Sequence, residues 1–121
     1  MEFLRENVEF FEGKAKEAIK EKPSFVLFFV EQAIQLYIKY ILAKVLGDYP
    51  KTHKLKVLFH ELSKIDEKAK KFYEDYADVL DLVEEVYITV RYFGKEYSEK
   101  SAKRALEVLD RFKEAFKEWL V

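Results

Sequence analysis

A chain of 121 residues, half apolar and 37% charged, can bury a core, which excludes a disordered segment and leaves no room for two large domains. Its 22 basic and 23 acidic residues nearly cancel, so no overall field draws it to nucleic acid or an acidic membrane; such binding needs a local patch. The absence of cysteine excludes disulfides, thiolate metal sites and thiol nucleophiles. Read along the chain, residues 1–121 form one helical domain. The N-terminal MEFLRENVEFFEGK is charged throughout and has no secretory apolar region, so a cytoplasmic location is expected. Leu4, Val8, Phe11, Ala15 and Ala18 recur at steps of four and three and predict a first helix with one apolar face. Gly13 lies inside it at about 1 kcal/mol relative to alanine, and close helix packing is the expected reason.

Pro23 and Ser24 mark the start of a second helix that runs to Leu46, with Gly47 as its stop and Pro50 beyond. Residues 25–46 are apolar at 17 of 22 positions, enough to resemble a membrane span. Glu31, Gln32, Gln35 and Lys39 interrupt its centre, where each charge costs roughly 2.5–3.5 kcal/mol on insertion scales. The segment therefore reads as the buried central helix of a bundle, partly facing a second subunit, with no membrane involved. Thr52 is the expected cap of a third helix bearing Leu55, Leu58, Phe59 and Leu62. Asp66 offers the next start. A continuous fourth helix follows, with the stripe Phe72, Tyr76, Val79, Val83, Val86 and Val90 and a flanking row Leu80, Glu84, Tyr87 and Arg91. Gly94 is the expected stop and Ser98 the cap of a fifth helix, which buries Ala102, Ala105, Leu109, Phe112, Phe116 and Trp119. Short connections favour antiparallel neighbours, hence an all-α, up-and-down bundle of four to five helices.

No glycine-rich phosphate loop, GxSxG or HExxH is present, and nothing calls for a cofactor. His53 and His60 are seven residues apart, too far for the i, i+4 metal pair, so no metal site is expected. Two polar features remain. The stripe Glu31, Gln32, Gln35 and Lys39 reads either as an ordinary solvated edge or as the lining of a groove. The stretch RYFGKEYS, residues 91–98, reads either as a helix end with Arg91 on the helix dipole or as a phosphate site. In the second case the Arg91 fork takes phosphate, and Tyr92, Phe93 and Tyr97 stack on a base. Lysine outnumbers arginine 18 to 4, glutamate is abundant and Asn, Gln and Met are scarce, a bias resembling that of thermophiles.

Three segments together resemble the HEPN domain family. EQAIQLYIKYIL (31–42) is similar to its QA-x-E-x-x-x-K signature, with Gln35 where glutamate is usual. PKTHKLKVLFHEL (50–62) resembles the P-x-THxL-x-x-L segment, and YITVRYFGKEYSEKSAKRAL (87–106) the Y-x-x-x-RYPD-x-x-YS segment, with Phe93 and Gly94 replacing Pro and Asp. The resemblance covers about 24 to 118. It implies a symmetric homodimer of helical bundles, association with nucleotides or RNA, and often a minimal nucleotidyltransferase as partner, in some members as a toxin–antitoxin pair. Many members are metal-independent ribonucleases that use an arginine followed after four to six residues by histidine. Arg91 matches the arginine, but positions 96, 97 and 98 are Glu, Tyr and Ser, and no histidine follows His60. The reading is therefore a binding module rather than an enzyme: Arg91 on phosphate, Tyr92 and Tyr97 stacking, Lys39 adding charge, and Glu31 and Gln35 orienting these groups. The alternatives are a degenerate ribonuclease built on Arg91 with Tyr97, and a purely structural interaction subunit.

Overall fold

The computed structural model describes the backbone of residues 2–18, 22–93 and 97–121, and the side chains of 2–17, 22–87 and 97–121. Among these are six α-helices and no strands: α1 (Glu2–Ala18), α2 (Pro23–Leu46), α3 (Leu55–Ser63), α4 (Lys68–Asp75), α5 (Ala77–Phe93) and α6 (Glu99–Ala115), closed by a 3-10 turn, Lys117–Trp119. The all-α bundle is as expected. Its central member is α2, which packs against α1, α3, α5 and α6.

The second helix starts with Pro23 in its first turn and stops at Gly47, whose φ of 84° is left-handed and whose N–H donates to Ala43 O at 2.8 Å. It is long and apolar enough to span a membrane, yet two thirds of that window lies inside the bundle, the setting of a core helix. Val26, Leu27, Val30, Ile34, Ile38 and Ile41 are all buried, so almost every side of the helix has a protein neighbour. Elsewhere in the core, Phe59 of α3 and Phe72 of α4 stack at 5.9 Å, and Phe112 of α6 meets both rings edge-on. Phe116 closes this cluster 4.8 Å from Phe112. The last turn is tied down by polar contacts: Trp119 Nε1 donates to Asp66 Oδ2 at 3.0 Å, and Lys68 Nζ reaches Glu118 Oε1 and Ala115 O, each at 2.9 Å.

Several local expectations hold. Ser98 Oγ accepts from Ser101 N–H at 3.1 Å and caps α6, and Asp66 Oδ1 accepts from Lys68 N–H at 3.0 Å where α4 begins. Others need correction. The expected fourth helix is two: Tyr76 (φ −118°, ψ 20°) leaves the helical region between α4 and α5. The break lets α4 lean on α3 and α6 while α5 lies against α2, although the apolar steps 72, 76 and 79 run through it unchanged. Thr52 does not cap α3. Its Oγ1 accepts from Lys54 N–H at 3.1 Å in a local turn, and the helix begins one residue later. Gly13 is exposed, and a Cβ placed on it meets nothing within 4 Å, so close packing does not explain it. Gly94, the expected stop after α5, lies outside the described residues.

Candidate functional site

The polar stripe of α2 is not a solvated edge. Glu31 is 0% exposed and Gln35 7%, with Gln32 and Lys39 half buried beside them. They form one hydrogen-bonded row: Lys39 Nζ donates to Gln35 Oε1 at 2.9 Å, Gln35 Nε2 to Glu31 Oε1 at 2.6 Å, and Gln32 Nε2 to Glu31 Oε2 at 3.1 Å. The steps of four place these groups one turn above another, which is what makes the row possible. Burial pushes the Glu31 carboxyl up to about 8, against the pull of the two glutamine amides and with a further push from the nearby Glu84. Glu31 is therefore largely neutral at pH 7. Burial also lowers the Lys39 ammonium; Glu31 opposes that shift and Lys51 adds to it.

Glu84 stands across from Glu31 on α5 and does what Thr52 was expected to do. Its Oε1 accepts from Leu55 N–H at 2.6 Å, satisfying a free donor at the first turn of α3. One turn further along α5, the Tyr87 ring lies between Phe28 of α2, parallel at 5.7 Å, and His53, stacked at 5.0 Å. Glu84 opposite Glu31 and Tyr87 opposite Phe28 make α2 and α5 antiparallel neighbours. The segment before α3 completes the face. Tyr49 receives Lys51 Nζ 4.2 Å from its ring centre and Lys39 Nζ, from α2, at 5.7 Å. Thus α2 supplies Glu31, Gln35 and Lys39, residues 49–53 supply Tyr49, Lys51 and His53, and α5 supplies Glu84 and Tyr87.

The remaining site residues fall at one end of this face. Arg91 and Tyr92 belong to the last turn of α5, and their side chains lie outside the described residues. Arg91 follows Tyr87 by four positions, one helical turn. Tyr97 is half buried against the core, and its N–H donates to Ser24 Oγ at 3.1 Å, so it sits at the first turn of α2. Ser24 and Lys39 are 15 residues apart, about 22 Å along the helix axis. The predicted residues therefore do not gather around one mononucleotide: Tyr97 marks one end of the face and Lys39 the other, with Glu31 and Gln35 between.

The model of the HEPN domain matches residues 1–119. The chain belongs to the HEPN domain family. No curated protein and no solved structure matches it. The helical bundle agrees with that membership, and the segments 31–42, 50–62 and 87–106 contribute Glu31, Gln35, Lys39, Lys51, His53 and Tyr87 to the face just described. No histidine follows Arg91 in sequence; His53, from the segment before α3, is the histidine that stacks on Tyr87. Glu84 and Tyr87 were visible beforehand only as members of the row that ends in Arg91. Their helical spacing was the available signal; their partners are 29 and 34 residues away, beyond the reach of any local pattern.

Proposed function

We propose that this HEPN domain binds a nucleotide or an RNA strand on the face formed by α2, residues 49–53 and the C-terminal half of α5. HEPN domains are commonly nucleotide- or RNA-associated. The observation that supports this reading most is the meeting of Lys39, Lys51 and His53 with the rings of Tyr49 and Tyr87 beside a buried, neutral Glu31. A neutral Glu31 leaves the two ammonium groups available to phosphate. In this reading Arg91 grips phosphate at one end, Tyr92 and Tyr97 stack or hydrogen-bond with a base, and Lys39 supplies charge at the other. Glu31 and Gln35 hold Lys39 in place. The test is thermal melting with and without uridine and adenosine nucleotides, for wild type and Arg91→Ala. A rise in melting temperature that is lost in the variant supports the site, and no rise with these nucleotides or with short oligonucleotides of the same bases dismisses it.

The position of His53 favours a second reading, a metal-independent ribonuclease. Arg91 would stabilise the phosphate transition state and His53 would move the 2′-hydroxyl proton. RNA cleavage abolished by either His53→Ala or Arg91→Ala, with folding intact, selects this reading, and uncut RNA with wild type removes it.

Assembly as a homodimer, and with a minimal nucleotidyltransferase, belongs to the same proposal. HEPN domains often dimerise. Here Phe3 and Phe10 on α1, 56% and 57% exposed, and Phe25 on α2 offer aromatic surface for self-association. Light scattering that gives twice the 14.5 kDa chain mass, and a single mass for Phe10→Glu, agrees with that face. The buried setting of α2 fits a cytoplasmic protein.

A further inference from the structure

The cations of this chain are not evenly matched. Lys14, Lys16, Lys64, Lys68, Lys71, Lys103, Lys113 and Lys117 each have a carboxylate within 4.0 Å. Lys22, Lys39, Lys44, Lys51, Lys54, Lys56, Lys70 and Lys100 make no ion pair with an acidic side chain among the described residues, and four of them, Lys51, Lys54, Lys56 and Lys70, belong to α3, α4 and the segment before α3. These four are contiguous in space with the two histidines. Lys51 and His53 belong to the face already described, Lys54 and Lys56 open α3, and His60 follows Lys56 by one turn, about 6 Å. Lys56, His60 and Lys70 then border a cleft of about 450 Å³ between α3 and α4.

The floor and walls of that cleft are aromatic. Phe59 lies beneath it and Tyr73 lines it, with the two rings 5.4 Å apart. Tyr73 is held in place through its hydroxyl, which donates to Asp81 Oδ1 at 2.8 Å. Ser63 offers a hydroxyl, and Glu74 is the one acidic side chain in the lining. The volume falls within the range of roughly 300–1,000 Å³ typical of small-molecule sites. Unpaired ammonium and imidazole groups around aromatic rings complement a ligand that carries both phosphates and bases. A single nucleotide on the α2–α5 face would leave this cleft unused, because His53 precedes α3 whereas His60 lies about 7.5 Å along its axis from Leu55.

We propose that the α3–α4 cleft is a second contact site for single-stranded nucleic acid, joined to the α2–α5 face by a track through His53, Lys56 and His60. The strand's phosphates run past Lys54, Lys56 and Lys70, and one base enters the cleft against Tyr73. The proposal rests on the nucleotide-binding reading of the α2–α5 face and adds to it a requirement for length.

The experiment is fluorescence anisotropy of the full chain with labelled oligouridylates of two, four and eight residues, at several salt concentrations, beside binding of UMP. The octamer is expected to bind at least tenfold more tightly than UMP. Lys56→Ala with Lys70→Ala is expected to cost the octamer about tenfold and to make its salt slope shallower by about 1.4, from two lost phosphate contacts at about 0.7 each. UMP affinity should not change, and neither should octamer affinity in the control Lys103→Ala with Lys117→Ala, whose lysines are ion-paired on or beside α6. All four lysines are exposed, and circular dichroism verifies the fold of each variant. If UMP binds but the octamer gains nothing, or the Lys56/Lys70 variant keeps wild-type affinity and salt slope, the cleft proposal is overturned while the α2–α5 reading stands. If neither UMP nor octamer binds, both are overturned.

Discussion

Replacing Glu31 by glutamine probes the buried row of α2 through its proton. The folded carboxyl titrates at about 8 rather than 4.5, chiefly because it is buried. Between those values the folded chain keeps a proton that the unfolded chain has released. For an acid raised in this way, the stability tied to the neutral form is intact below the ordinary carboxylate range and falls as pH rises toward 8. The slope is about 1.4 kcal/mol per pH unit, so roughly 2–3 kcal/mol is lost between pH 5 and 7. Glu31 Oε1 accepts from Gln35 Nε2 and Oε2 from Gln32 Nε2; a proton on Oε2 requires the Gln32 amide to turn over so that its oxygen accepts, and the amide of Gln at position 31 requires the same. Glu31→Gln thus keeps the shape and removes the titration, with about 1 kcal/mol of imperfect hydrogen bonding set against it. Urea denaturation at pH 5, 6, 7 and 8 is expected to give a falling stability for wild type and a flat profile for the variant. The variant should be slightly less stable at pH 5 and more stable by about 3 kcal/mol at pH 8. Parallel profiles would mean that Glu31 is charged in the fold, and the argument for free ammonium groups at Lys39 and Lys51 would go with it.

Other consequences are simpler. Glu84→Ala removes the acceptor for Leu55 N–H and should cost about 0.5–2 kcal/mol, while also lowering the Glu31 titration followed by NMR, because Glu84 contributes to its upward shift. Phe112→Ala empties the contact shared by Tyr37, Phe59, Phe72 and Phe116 and should cost about 3–5 kcal/mol in chemical denaturation. Gly13→Ala, exposed and without neighbours for its Cβ, should stabilise by about 0.5–1 kcal/mol; destabilisation would show that this position is covered by another chain.

The bundle was legible because its signals are local. Stripes such as Leu4–Val8 and Ala105–Leu109–Phe112 recur at helical spacing, and Gly47 and Ser98 carry their own capping chemistry. What failed depended on contacts across the chain. Thr52 is a good capping residue, but Glu84 from a distant helix occupies that role. Tyr76 keeps the apolar spacing through a break that only the packing of α4 against α3 explains. The stripe of α2 was ambiguous for a related reason: Glu31, Gln35 and Lys39 have the same spacing whether they meet water or α5 and residues 49–53. Only the burial of Glu31 separates those cases. The candidate site was half visible. Its polar row could be named from sequence, whereas Tyr49, Lys51, His53 and Glu84 join it through the fold, and the Arg91 side chain lies outside the described residues.

The central claim is that phosphate-bearing ligands occupy the face between α2, residues 49–53 and α5. The most direct measurement is amide chemical-shift mapping of the ¹⁵N-labelled chain during titration with a short oligouridylate. The account predicts saturable shifts at Lys39, Tyr49, Lys51, His53 and Tyr87, weakened in Arg91→Ala. Unchanged spectra, or shifts confined to the aromatic surface of Phe3, Phe10 and Phe25, would contradict it.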